Sequence, residues 1–161
     1  MGPLHRRLGI GTLTLWIAAA ALVTAQARNV HLGTCNLNVA KSKFDPGPPF
    51  QSQTIRLEVW EDGLKGRADG VDGKGAKTYL EFAAKFDGKP YPFTGNPDGD
   101  MLTLKRVGER IIEAAWTLKG KPTISAQGSV SADGKTRTVV YTGTNASGRK
   151  VNHTLVYDRQ M

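Results

Sequence analysis

Lys77-Thr-Tyr-Leu-Glu-Phe-Ala-Ala-Lys-Phe86 is the stretch that decides the fold. Thr78, Leu80, Phe82, Ala84 and Phe86 fall on one side of an extended chain, and Lys77, Tyr79, Glu81 and Lys85 fall on the other. Alternation with period two is the pattern of a strand with one face buried and one face wet. Asp87-Gly88-Lys89 follows at once, and Asp-Gly is the chemistry of a tight turn between antiparallel strands.

Working outward, the same grammar repeats. In 54–60, Ile55, Leu57 and Val59 alternate with Arg56 and Glu58, and Asp62-Gly63 turns the chain into 64–71. Asp72-Gly73-Lys74 precedes the deciding stretch, and strand patterns recur at 101–107, 110–118, 122–131, 136–143 and 149–158. Turn residues separate them, among them Gly108-Glu109, Lys119-Gly120-Lys121, Asp133-Gly134 and Ala146-Ser147-Gly148. No window carries an apolar stripe of helical period over three turns, and the most expected of 39–43 is a single helical turn. Two proline-rich breaks, 45–49 and 90–99, read as a stiff connection and as a long connection or edge segment, since proline cannot donate to a central ladder. Short strands joined by short turns predict an all-β fold, an antiparallel up-and-down meander barrel of eight to ten strands. Closure removes the exposed edges, and such a barrel has an interior just wide enough for side chains or one small ligand.

The first 27 residues read as an address. Arg6 and Arg7 precede an uncharged, mostly apolar run from Leu8 to Ala25, and Ala25-Gln26-Ala27 is a small-x-small cleavage site. A cleaved signal peptide over 1–27 is expected, leaving a single domain over 28–161 that is exported to the periplasm or the extracellular space. No membrane span remains after that cleavage. Of the 22 basic residues, 20 would stay in the mature chain against 14 acidic ones, a net charge of +6. With no basic block and no recognition helix, nucleic acid is not an expected partner. Cys35 is the only cysteine, so no internal disulfide is available and packing must supply the stability of what is expected to be a monomer.

No catalytic signature accompanies this pattern. Only His31 and His153 remain in the mature chain, without metal-ligand spacing, and no serine sits in a nucleophile elbow. No metal, no cofactor and no catalytic residue is expected. Glu58, Glu81 and Glu113 take solvent-facing positions of their strands. The more telling polar residues are those whose parity aims them inward. Arg106 shares a face with Leu102 and Leu104; Arg137 shares one with Val139 and Tyr141; His153 shares one with Val151, Leu155 and Tyr157. Arg106, Arg137, Tyr141, His153 and Tyr157 are therefore the candidate polar lining of a pocket for a small apolar or anionic molecule, because a desolvated guanidinium demands a partner. The competing reading places the arginines at the rims, stems on the core and charges in water. A cavity-free structural or interaction domain, and a secreted hydrolase, are the alternative functions.

Thr34-Cys-Asn-Leu-Asn-Val-Ala-Lys-Ser-Lys-Phe44, Asp87-Gly-Lys-Pro-Tyr-Pro-Phe-Thr-Gly-Asn-Pro97 and the ending Gly148 to Arg159 resemble corresponding segments of small secreted bacterial lipocalin-like (calycin-type) proteins. The resemblance implies a ligand-holding barrel with no defined ligand and no catalytic residues. It departs at Cys35, where the lipocalin pattern has a tryptophan that closes one barrel end beneath an arginine of the last strand. Arg159 matches that arginine, so the resemblance leaves the closed end without its usual plug.

Overall fold

A computed structural model describes residues 29–160; the expected signal segment, 1–27, lies outside the described residues. Ten strands follow in chain order: β1 Gly33–Leu37, β2 Ser52–Trp60, β3 Gly63–Val71, β4 Lys77–Lys85, β5 Tyr91–Thr94, β6 Met101–Arg106, β7 Ile111–Leu118, β8 Lys121–Val130, β9 Thr136–Thr144 and β10 Lys150–Arg159. Each pairs antiparallel with its neighbour in sequence, and β1 pairs with both β2 and β10, which closes the barrel. The all-β meander read from the sequence is the observed fold. Among the described residues the only helical segment is a 3-10 turn at Val39–Lys41, with the Asn38 side chain accepting from the Lys41 N–H.

Register makes the inside of the barrel explicit. Leu57 pairs with Gly66 and Gly66 with Phe82; Ala114 pairs with Ala126, Ala126 with Tyr141, and Tyr141 with His153. Since directly paired residues point to the same face, these rows trace one interior around the sheet. The core has two clusters. One gathers Leu57, Leu64, Ala84, Phe93, Leu102, Leu104 and Ile112; the other gathers Cys35, Val139, Leu155 and Tyr157.

Two local expectations change in the structure. The proline-rich stretch at 90–99 contains a true strand, β5, inside the closed ladder and not at an edge. Pro92 is tolerated because β5 makes only two register pairs on each side, while the Phe93 N–H donates to the Asp100 carbonyl at 2.9 Å. Val59 keeps the inward parity of Ile55 and Leu57 but is 66% exposed, because β1 begins at Gly33, opposite Leu57, and leaves β2 unpaired on that side beyond it. Trp60, on the opposite parity, is half-buried edge-on against the Tyr91 ring at 6.1 Å.

Close approach explains two buried glycines of β3. A methyl group at Gly63 would lie 1.9 Å from the Ala84 carbonyl oxygen, and one at Gly66 would lie 2.4 Å from the Phe82 ring. The first obstacle is backbone and cannot swing away. Gly63→Ala is expected to destabilise the domain by about 2 kcal/mol or more, as an overpacked site does. Gly108→Ala, where nothing lies within 4 Å, should stay within about 0.5 kcal/mol of the parent. Urea unfolding of the two variants beside the parent checks both expectations.

Candidate ligand-binding cavity

The two barrel ends differ in what the chain leaves there. At one end the loops at 45–50, 72–74, 96–98 and 145–149 surround a mouth of about 490 Å³. At the other, the turns after β2, β4, β6 and β8 meet the segment 29–32 that precedes β1, and this end is closed. Asn29 holds the segment in a turn, its carbonyl accepting from the Leu32 N–H and its side chain from the His31 N–H, both at 3.2 Å. Arg159, the register partner of Cys35, donates from Nη2 to the Val30 carbonyl and, at 2.8 Å, to that of Leu32. The end is thus sealed without a tryptophan: Arg159 holds down a backbone turn, and that turn drives His31 into the barrel until 2% of it is exposed.

Above this floor lies an interior cavity of about 110 Å³ that opens toward the mouth. Its walls are apolar side chains from most strands, with Leu64, Leu102, Ile112, Ala114, Ala126 and Val139 among them; its polar lining includes Gln53, Arg137 and Tyr141. Gln53, Leu80, Trp116 and Tyr141 border both the cavity and the mouth, so they form the neck between the two spaces.

The five sequence-derived candidates all occupy inward-facing register positions, but at different depths. Arg137 and Tyr157 are cross-strand partners, and Tyr141 pairs with His153 two rows nearer the mouth, beyond the Val139–Leu155 pair. Tyr157 is fully buried, its hydroxyl donating to Gln53 Oε1 at 2.6 Å. Burial pushes the Tyr141 phenol up and the Tyr157 phenol well up, so both are neutral hydrogen-bonding groups. His153 stands in the mouth, its Nδ1 accepting from the Asp45 N–H at 2.9 Å and its ring 5.8 Å from that of Phe44. Arg106 is not with them. It lies exposed at the closed rim, its guanidinium 4.6 Å over the Phe86 ring, as the competing rim reading has it. The structure therefore brings together Arg137, Tyr141 and Tyr157, sets His153 at the mouth and leaves Arg106 outside the cavity.

His31 was not among the sequence candidates, and it completes the site. Arg137 Nη1 lies 3.2 Å from His31 Nδ1. A guanidinium only donates, so Nδ1 must present its lone pair and the ring proton must sit on Nε2. That nitrogen is buried and makes no hydrogen bond. Burial, followed by the charges of Arg137 and Arg106 and that of Arg159, lowers the His31 pKa from 6.5 to about 4. Arg137 is pushed down too, chiefly by burial, yet a guanidinium remains charged at any ordinary pH. No carboxylate meets it: the ion pairs among the described residues are Lys41–Asp158, Lys65–Glu81, Arg67–Asp69 and Lys85–Glu61, all on the outside. Glu58 and Glu113 are exposed, and Glu81 sits on the outer face beside Lys65, so no acid–base pair converges on the cavity.

No protein-family model matches the chain, and no curated protein matches it. The function must therefore be argued from this geometry.

A depressed histidine pKa binds fewer protons in the folded state than in the unfolded one. The stability His31 contributes is fully present above pH 6.5 and is lost as the pH falls through about 4. Over that window the loss from this group approaches about 3 kcal/mol. His31→Gln retains an acceptor for Arg137 and removes the titration. Urea unfolding from pH 7.5 to 4 should show the parent losing stability more steeply than the variant.

Proposed function

We propose that this chain is an exported small-molecule-binding barrel of lipocalin-like type, taking one ligand through the open mouth into the interior. The observation that supports it most directly is the cavity itself. Phe82, Phe93 and Trp116 pack into the barrel with ring centroids of 6.4 and 5.1 Å between successive pairs, yet a space of about 110 Å³ remains beside them. Native interiors are packed as densely as organic crystals, and voids beyond the size of a water molecule are few. An apolar void of ~150 Å³ is large enough to take up benzene, and a water's share of liquid is ~30 Å³. The interior space suits a few carbon atoms, and the rest of a slender ligand would pass the neck at Trp116 and Tyr141 into the mouth.

Alanines set this room aside. Ala114 and Ala126 face each other across β7 and β8 and both border the cavity. Titration of the parent with 1-octanol should raise its melting temperature in proportion to the logarithm of free ligand, as for a ligand that binds only the folded state. Ala126→Leu fills the void. It should gain about 1 kcal/mol of stability by cavity filling and lose the octanol response. A parent with no octanol response would sink the binding reading.

Export rests on the basic, apolar and small-x-small succession of residues 1–27. Mass spectrometry of the secreted or periplasmic chain should find Arg28 as its first residue; full-length chain recovered from membranes would contradict cleavage.

A further inference from the structure

The outer surface of the barrel is divided by charge. On β2, β3 and β4 the outward positions carry five basic residues, Arg56, Lys65, Arg67, Lys77 and Lys85, against three acidic ones. On β7, β8 and β9 the outward positions from Ile111 to Thr117, Thr123 to Ser129 and Thr136 to Thr144 carry one charge, that of Glu113. Threonine and serine take most of the rest. Depletion of charge is the composition that marks the core of a protein–protein interface.

The same patch has relief. A hollow of about 500 Å³ opens on the outer wall between β6 and β9. Ala115 and Ser125, register partners, form its floor; Thr103 and Lys105 stand on one side, Val140 and Thr142 on the other. The small side chains make the hollow, and Val140, 37% exposed, is the apolar knob beside it. Knob and hollow on one patch are what an isologous two-fold contact requires, because each copy must offer what the other receives.

We propose that a second copy of this chain covers this face, in place of the monomer expected from the sequence, with Val140 of each copy seated in the hollow of the other. Closure of the ladder leaves no free strand edge, so strand addition is barred and a sheet face must serve. Charge decides which face. The chain has a net charge of +8, so its basic face repels its like. At the hollow, Lys105 and Glu113 are paired in register and their charges cancel; neither forms an ion pair among the described residues. An anionic partner would be drawn to β2–β4 instead. Five strands, β6 to β10, about 4.8 Å apart and about six residues long at ~3.3 Å each, make a face of roughly 24 by 20 Å. Two such faces bury about 1,000 Å², where specific interfaces begin and contacts are weak and reversible. The contact uses only the outside of the barrel, so it is independent of whether the interior takes a ligand.

Sedimentation velocity of the cleaved chain from about 10 µM to about 1 mM, the span of weak affinities, reads the association. The parent should pass from monomer to dimer within that range. Val140→Lys sets a like charge on both copies at the contact, and Ser125→Arg fills the hollow. Each should weaken the dimer at least about tenfold, as the loss of a central interface residue does. Both positions are exposed in the single chain, so both variants should keep the far-ultraviolet circular dichroism of the parent. Arg56→Gln, on the charge-rich face, should leave the association unchanged. A parent that stays monomeric to about 1 mM, or a dimer that both Val140→Lys and Ser125→Arg leave intact, would overturn the proposal. So would an Arg56→Gln variant weakened as much as they are, since the contact would then lie on the opposite side.

Discussion

Closure through β1 is the constraint on which everything else depends. β1 is five residues long, yet Cys35 is paired with Ile55 on one side and Arg159 on the other. That double pairing locks the registers of the first, second and last strands together, and the short turns carry the parity around the remaining ladder. A one-residue slip anywhere would exchange the two faces. It would send Arg137 and Tyr157 into solvent and bring Thr136, Thr138 or Val140 to the interior. Closure also removes both edges of the sheet, so ten short strands can coexist without a disulfide.

What closure then imposes is electrostatic. Position 137 lies on the inner face three residues before Val140 leaves for solvent, and an arginine there has nowhere to place its charge except the interior. A hydrogen bond to a neutral imidazole satisfies one donor group and adds no opposing charge. The tyrosine hydroxyls lend dipoles, with Tyr157 oriented by Gln53. None of these balances a full positive charge. A hydrophobic side chain of similar volume would pack there without that cost, so the arginine is hard to account for as a purely structural element.

How much of this was legible beforehand depends on the distance over which each signal acts. Parity is local, and it put Arg106, Arg137, Tyr141, His153 and Tyr157 on the inner face without any tertiary knowledge. Depth is not local. Arg106 and Arg137 have the same parity beside similar apolar neighbours, but Arg106 ends β6 at the closed rim while Arg137 lies one residue inside β9, under a plug that covers it. The plug itself had no signature. His31 precedes β1 in a short stretch without periodicity, and only the fold brings Arg159, 128 residues later, to hold its backbone down. The break at 90–99 misled for a related reason: proline excludes a long central strand, but a strand with two pairs on each side needs few donors.

The departure at Cys35 shows how these levels join. A tryptophan at 35 would project inward beside Arg159, Ile55 and Leu37, in the cluster that packs Val139, Leu155 and Tyr157. A ring of that size would take the space above the closed end by itself, and Arg159 could lie along it. With a cysteine there, the same arginine is free to reach the carbonyls of Val30 and Leu32 instead, and the backbone it captures carries His31 inward. The imidazole then arrives within reach of Arg137 Nη1 and takes the edge of the guanidinium nearest the floor. The small residue at 35, the arginine at 159 and the histidine at 31 therefore act as one unit, which closes the barrel end and gives Nη1 of Arg137 its partner.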